Sequence, residues 1–302
     1  MKLEDIKKFC KEIDSKISFD YDLKKSNWFN IGGKTKVYFK PESLSDLILF
    51  LKKFGTKEKI FILGAGSNIL INDNIFNGIV IKLGKNFSNI SLLPNNIIVA
   101  GSGCNDKKLS EFAYENEIGG FEFLTCIPGT VGGGLRMNAG CFKREFKDIL
   151  VSVQAIDKVG KVITIPANKI LFKYRDNNLS KDLIFLSASF EGKKNNKTII
   201  KKKMLELKET KNITQPTKIK TSGSTFKNPI GQTNKKVWEL IRESVPMDIN
   251  FGDAHISKKH SNFFVNKNNA SFNDMKRLIE FVSQSVEKKT GIKLEKEIKI
   301  LE

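Results

Sequence analysis

Residues 127–140 read IPGTVGGGLRMNAG, with five glycines among fourteen positions: Gly129, Gly132, Gly133, Gly134 and Gly140. Glycine reaches positive φ at little cost and lets another backbone or a ligand approach closely, so such a stretch marks a structured loop. Residues 64–68, Gly64-Ala65-Gly66-Ser67-Asn68, form a second one. Consecutive N–H groups with a neighbouring hydroxyl can surround a pyrophosphate, and two such loops in one region point to a dinucleotide. A structural turn alone explains either loop singly. Neither follows a standard phosphate motif: GAGSNIL lacks the G-x-G-x-x-G spacing, and PGTVGGG has no Lys-Ser/Thr of the P-loop.

The surrounding sequence alternates between strand-like and helical patterns, which predicts α+β or α/β layering rather than a helical bundle. An amphipathic helix is expected over 2–17 and another over 43–54, with strands at 36–40, 60–63, 78–83 and 97–100. A helix near 105–117 and strands at 150–156, 161–165 and 183–190 follow. GKKNNK reads as a loop and KKKMLELKETK as an exposed helix, and a domain boundary is placed near 205. The last third predicts helices near 235–244 and 272–289 with strands near 262–265 and 296–301.

A chain of 302 residues with 40% hydrophobic content can bury one large core or several smaller ones. Its formal charge of +19 raises nucleic acid as a partner. Only five of its 52 basic residues are arginine, however, and the lysines are dispersed, which favours a solvated surface over a phosphate-reading face. No nucleic-acid partner is therefore expected. Cys10, Cys104, Cys126 and Cys141 form no CxxC pair and no metal-ligand spacing with histidine, so reduced thiols and no metal are expected. The N-terminal segment lacks the apolar region of a signal peptide, and no stretch approaches a membrane span, which gives a cytoplasmic expectation with no membrane insertion.

Four further places bear on chemistry. Arg175 in KYRD carries a planar fork suited to a carboxylate, against the simpler reading of a surface ion pair with Asp176. Glu297 in LEKEIKIL, on a strand over 296–301, would lie on the face of Glu295, Lys299 and Leu301, where a solvated edge is the simpler reading. His255 and His260 lack the nucleophile and carboxylate of a triad, so packing or substrate contact is expected of them. TSGSTFKNP, residues 221–229, is open to reading as a turn, an anion cradle or the seat of a catalytic Ser224.

Taken in order, NWFNIGG (27–33), GAGSNILI, IPGTVGGGLRMNAG, KYRD, GSTFKNP, KHSNFFVN and LEKEI resemble the flavin-dependent UDP-N-acetylenolpyruvoylglucosamine reductases of peptidoglycan synthesis, from about residue 27 to the C-terminus. The 49-position interval from Arg175 to Ser224 is similar to the type without an extra tyrosine-bearing loop. The resemblance implies an α+β protein: an FAD-binding fold of the vanillyl-alcohol-oxidase (PCMH) type over 1–205, in subdomains of about 1–84 and 85–205, with a substrate domain over 206–302. It implies FAD contacts from Gly64, Ala65, Gly66, Ser67, Asn68, Pro128, Gly129, Thr130, Gly132, Gly133, Asn138 and Gly140. Arg175, Ser224 and Glu297 take the catalytic positions, and Lys227 and Asn228 the substrate diphosphate, with NADPH as hydride donor. Arg136 and the segment CFKREFKDIL depart from the commoner family pattern. The alternatives carried beside this are an FAD-dependent oxidase of the same cofactor fold and a basic nucleic-acid-binding protein. A monomer is the expectation for its assembly.

Overall fold

In the computed structural model, which describes residues 3–302, the chain forms two compact units. The first comprises residues through Phe19, Lys36–Ala65 and Asn77–Lys211; the second comprises Asp20–Thr35, Gly66–Phe76 and Asn212–Glu302. The boundary expected near 205 falls inside a continuous helix, Lys197–Thr214, and two short segments from the first 84 residues group with the C-terminal part.

Two sheets build the first unit. One has four strands in the order Lys16–Asp22, Lys34–Lys40, Phe76–Ile81, Ile60–Ile62. The other has five antiparallel strands in the order Val162–Pro166, Leu150–Ile156, Ile184–Glu191, Ile97–Gly101, Ile90–Leu93. The strand IFLSASFE explains why the layers stack. Side chains alternate across a strand, so Ile184 and Leu186 enter one core while Phe185 enters another. A register shift in the pairing with Leu150–Ile156, where Gln154 faces Ser187 but Ala155 faces Phe185, then switches the parity, and Ala188 and Phe190 join Phe185. The first core also receives helix α2, counted after the short N-terminal helix α1 (Leu3–Phe9) and spanning Leu44–Phe54, through Leu47, Phe50, Leu51 and Phe54. That i, i+3, i+4, i+7 spacing is the apolar stripe of an amphipathic helix, and Ser43 starts the helix by accepting the Asp46 N–H at 3.1 Å. The second core is closed by α3 (Asp106–Glu115) and α4 (Val131–Arg136).

The second unit packs α6 (Val237–Ser244) and α7 (Phe272–Thr290), which follow α5 (Lys197–Thr214), against a three-stranded sheet of Asn250–Phe251, Ala254–Ile256 and Phe264–Asn266. Ser271 and Asp274 form a capping box at the start of α7, and Gly291 ends it at φ 73°, a left-handed value that suits glycine. A separate two-stranded parallel pair joins Lys299–Leu301 to Ile69–Ile71.

The sequence and the structure differ in instructive places. The helix expected over 2–17 ends at Phe9, and Lys16–Asp22 is a strand; residue 2 lies outside the described residues. Beyond Phe9 the chain turns, Ser15 donates its N–H and hydroxyl to the Asp46 carboxylate, and sheet pairing then takes up the next residues. The strand expected over 296–301 begins only at Lys299. Strands at 69–71 and 90–93 are additional to those expected. Among the described residues, no helix is long and apolar enough to cross a membrane, no cluster of His, Cys, Asp or Glu could hold a metal, and the four cysteines are free thiols.

Candidate active site

In the second unit, the segment GSTFKNP becomes the middle of three extended segments. On one side Ser224 bridges Phe263, the Thr225 N–H donates to the Asn262 carbonyl at 2.8 Å, and the Phe226 N–H donates to the Asn262 side-chain oxygen at 3.0 Å. On the other, Phe226 bridges Lys296 and the Lys227 N–H donates to the Glu295 carbonyl at 2.8 Å. Between these contacts the Glu297 N–H donates to the Thr225 carbonyl at 2.8 Å. Gly223 turns the chain into this arrangement at φ 76°, with open space where a Cβ would stand, so its role is conformational. Ser224 and Glu297 are both half-buried, and Glu297 is therefore no solvated edge residue.

Asn68 belongs to the same assembly. Its amide donates to the Glu297 carbonyl at 3.2 Å, and its own carbonyl accepts the Lys299 N–H at 3.1 Å. The last residue of GAGSN thus holds the backbone around Glu297. Lys227 pairs with Glu295 at 2.6 Å, and the Asn228 side-chain oxygen accepts the Val237 N–H at 3.1 Å, which places it at the start of α6. His260 accepts the Asn262 N–H on Nδ1 at 3.3 Å and packs edge-on against Phe263; burial lowers its pKa, favouring the neutral ring.

The glycine-rich turns meet in the first unit. A Cβ at Gly64 would lie 2.8 Å from the Thr130 hydroxyl oxygen, so the two loops touch through a glycine that cannot carry a side chain without displacement. The N–H groups of Val131 and Gly132 donate to the carbonyls of Cys104 and Ser102, both at 2.9 Å, which secures the turn from beneath instead of offering those two donors outward. Gly133 is exposed, and a Cβ there would meet only the Thr130 hydroxyl, at 3.5 Å. Under the turn, the Ser102 hydroxyl and both Asp106 carboxyl oxygens are buried with no hydrogen-bond partner among the described residues. Burial holds the Asp106 pKa well above its ordinary value, favouring the neutral acid. Open backbone at Gly133 beside Thr130 and Gly64 fits a flavin dinucleotide, whose pyrophosphate takes N–H and hydroxyl donors.

The first unit also assembles MNAG with KYRD. Residues Gly140–Cys141 and Arg144–Glu145 form a hairpin whose two linking residues, Phe142 and Lys143, have φ of 49° and 65°. Positive φ at both central positions gives the turn the twist of its strands. The Arg175 guanidinium donates to the Gly140 carbonyl at 2.8 Å and to the Asn138 carbonyl at 3.4 Å, and lies 3.7 Å from the Glu145 carboxylate. Asn138 is fully buried, and its side chain serves the protein interior: it donates to Glu145 and to the Lys173 carbonyl, each at 3.1 Å, and accepts the Lys147 N–H at 3.1 Å. The departure at Arg136 has a structural account. Its guanidinium donates to the carbonyls of Leu179, Ser180 and Leu183 and stacks over Phe185, and burial lowers its pKa to about 10.

Asn262 and Glu145 are the residues that the sequence reading passed over. Asn262 was visible only as part of KHSNFFVN, and Glu145 only as an acid in an atypical segment; their significance lies in partners 36 and 30 positions away.

Comparison with known proteins gives concordant results. Residues 35–166 match a family described as an FAD binding domain, and residues 215–301 match the C-terminal domain of UDP-N-acetylenolpyruvoylglucosamine reductase. The chain is 74% identical over 301 residues to a UDP-N-acetylenolpyruvoylglucosamine reductase of Pelagibacter ubique, with both chains covered completely. It is 46% identical over 280 residues to the Rickettsia typhi protein of the same name, covering 93% of this chain and 94% of that one. Among solved structures, the UDP-N-acetylenolpyruvylglucosamine reductase of Thermus caldophilus is similar with a TM-score of 0.81 and 28% identity, covering 95% of this chain and 99% of that one.

Proposed function

The chain belongs to the UDP-N-acetylenolpyruvoylglucosamine reductase family, and we propose that it reduces the enolpyruvyl ether of UDP-N-acetylenolpyruvoylglucosamine to UDP-N-acetylmuramate, using NADPH, in peptidoglycan precursor synthesis. The observation that carries this is the main-chain coupling of Ser224 and Glu297 through the Glu297 N–H and the Thr225 carbonyl, 2.8 Å apart. It puts a hydroxyl and a carboxyl on neighbouring, tightly bonded segments.

Bound FAD supplies hydride transfer from NADPH to the terminal carbon of the alkene. The protein's residues handle charge and proton. Arg175 pairs with the substrate carboxylate and stabilises the enolate-like charge that develops on it. Ser224 gives a proton to the carbon next to that carboxylate. A serine hydroxyl is a weak acid by itself, so Glu297 assists, by hydrogen bonding when protonated or by relaying the proton. Asn228 and Lys227 serve the diphosphate; Lys227 would exchange Glu295, whose side chain is 73% exposed, for the incoming anion. Gly64, Ala65, Gly66, Ser67, Pro128, Gly129, Thr130, Gly132 and Gly133 are assigned to the cofactor loops, with Asn68, Asn138 and Gly140 supporting them. We assign the enzyme to the cytoplasm.

The test is to purify the protein, record its flavin absorbance and follow NADPH oxidation. Oxidation should depend on the UDP-enolpyruvyl sugar. Oxygen consumption with another reductant, independent of that sugar, would instead identify an oxidase of the same cofactor fold. A colourless protein that cannot be reconstituted with FAD would overturn the proposal.

A further inference from the structure

Arg175 carries its positive charge at an unusual backbone position, and the hairpin beside it supplies more than a hydrogen-bond acceptor. Its φ of 57° is left-handed, a conformation that non-glycine residues adopt only when their surroundings hold them there. Two carbonyls from one short stretch, those of Asn138 and Gly140, accept from its guanidinium. Glu145 pairs with Gly140 across the hairpin, and its carboxylate lies 3.7 Å from Nη1 of Arg175. That separation exceeds a hydrogen bond, so Glu145 acts on Arg175 by charge.

The carboxylate of Glu145 is itself fixed from several directions. Its Oε2 accepts from the fully buried Asn138 amide at 3.1 Å and pairs with Lys147 at 2.9 Å, while its backbone N–H donates to Asp148 at 2.9 Å. The same Asn138 amide donates to the carbonyl of Lys173, two residues before Arg175. A closed circuit therefore runs from Glu145 through Asn138 to the backbone that leads into Arg175. The circuit requires close approach: a Cβ at Gly140 would come 2.3 Å from the Arg144 carbonyl oxygen and 2.8 Å from Cγ of Glu145. Both Arg175 and Glu145 side chains are largely covered, at 17% and 19% exposure, so their attraction is weakly screened.

We propose that Glu145 is a positioning residue for the reduction, holding the Arg175 guanidinium by charge in the orientation that receives the substrate carboxylate. This rests on the assignment of Arg175 as the carboxylate-binding residue. Because Glu145 acts by charge, its conservative replacement by aspartate should preserve the effect, whereas glutamine of nearly the same shape should lose it.

The experiment is a stopped-flow comparison of the two half-reactions in the FAD-loaded enzyme, using the parent, Glu145→Gln, Glu145→Asp, Arg175→Lys and the Glu145→Gln/Arg175→Lys double variant. Flavin content and the rate of flavin reduction by NADPH should stay at parental values in all of them. Reoxidation by the UDP-enolpyruvyl sugar should slow by about tenfold to a hundredfold in Glu145→Gln. Glu145→Asp should recover most of that rate, and Glu145→Gln should add little to the loss already caused by Arg175→Lys. Parental reoxidation in Glu145→Gln, or losses that multiply fully in the double variant, would overturn the positioning role while leaving Arg175 in place. Flavin loss or unfolding in Glu145→Gln would assign the residue to the scaffold and also overturn it. Normal reoxidation in Arg175→Lys would instead remove the assignment of Arg175 on which the proposal rests.

Discussion

The N–H of Glu297 donates to the carbonyl of Thr225 at 2.8 Å, so the residue following Ser224 is bonded to the backbone of a carboxylate 72 positions away in sequence. Asn262 secures the opposite edge of the same segment, and Asn68 secures the far side of Glu297. Ser224 and Glu297 are thus presented by a small, mutually hydrogen-bonded scaffold, in which moving one strand disturbs the others.

Ser224→Ala removes a hydroxyl from a half-buried position without touching the backbone bonds that hold the segment. Reoxidation of reduced flavin by the enolpyruvyl substrate should slow by about 10²- to 10⁴-fold, the usual weight of a proton donor, while reduction of the flavin by NADPH is unchanged. Rapid-mixing absorbance at the flavin band separates the two. Equal slowing of both would remove Ser224 from proton donation.

Asn262→Asp keeps an acceptor for the Phe226 N–H but loses the donor that now reaches the Phe226 carbonyl at 2.9 Å. The site is 2% exposed, so the carbonyl is left facing a carboxylate without water to mediate. A stability loss of at least about 1–3 kcal/mol should appear in denaturant unfolding. An unchanged midpoint and slope would show that the pairing carries little of the scaffold's stability.

Gly134→Ala tests why the third glycine of the run is needed. Its N–H donates to the Thr130 carbonyl at 2.8 Å, and a Cβ would come 2.3 Å from the ring of the fully buried Phe146. Phe146 also packs on Phe123 and Phe190, which limits its retreat. The substitution should cost about 1–3 kcal/mol by overpacking, read as a fall in melting temperature. Pairing it with Phe146→Leu should recover part of the loss, and failure to do so would point to the loop backbone instead of the ring.

Asp106 gives a pH dependence. Burial raises its folded-state pKa well above the ordinary 3.8, so folding favours the protonated acid. That contribution is fully present below the unfolded pKa and is lost as pH rises towards the folded value. Asp106→Asn has no titrating group there, so it should gain stability relative to the parent as pH rises above about 4, by up to about 1.4 kcal/mol per unit. Thermal melts of both proteins across this range provide the check. Parallel pH profiles would show that Asp106 does not carry its proton into the folded state.

Much of the architecture could be read from local pattern. The stripe at Leu47, Phe50, Leu51 and Phe54 with its Ser43 cap, and the capped α7, are consistent in propensity, period and termini, and such segments form where local pattern places them. Only Lys16 and Ile17 of the strand Lys16–Asp22 fall within the expected helix; Ile17, Phe19 and Tyr21 alternate with the period of a strand, a short signal that sheet pairing makes decisive. The strand at Ile69–Ile71 is three residues long and exists because Lys299–Leu301 lies beside it, more than 200 positions later. Its apolar run ILI carries no period by which to distinguish it from the end of a loop.

The sequence by itself determined the residue types available for chemistry: glycines where backbones must approach, one arginine in KYRD, and a serine and a glutamate in ordered motifs that identify the family. It determined the capped helices α2 and α7 too, since capping and apolar spacing act within a few residues. Tertiary structure decided what those residues do to one another. It turned the Asn138 amide inward, set Glu145 beside Arg175, and tied the Glu297 backbone to that of Thr225. Hydrogen bonds and charge attraction depend on distances of a few ångströms, and those distances are fixed only when the cores pack and bring remote segments together.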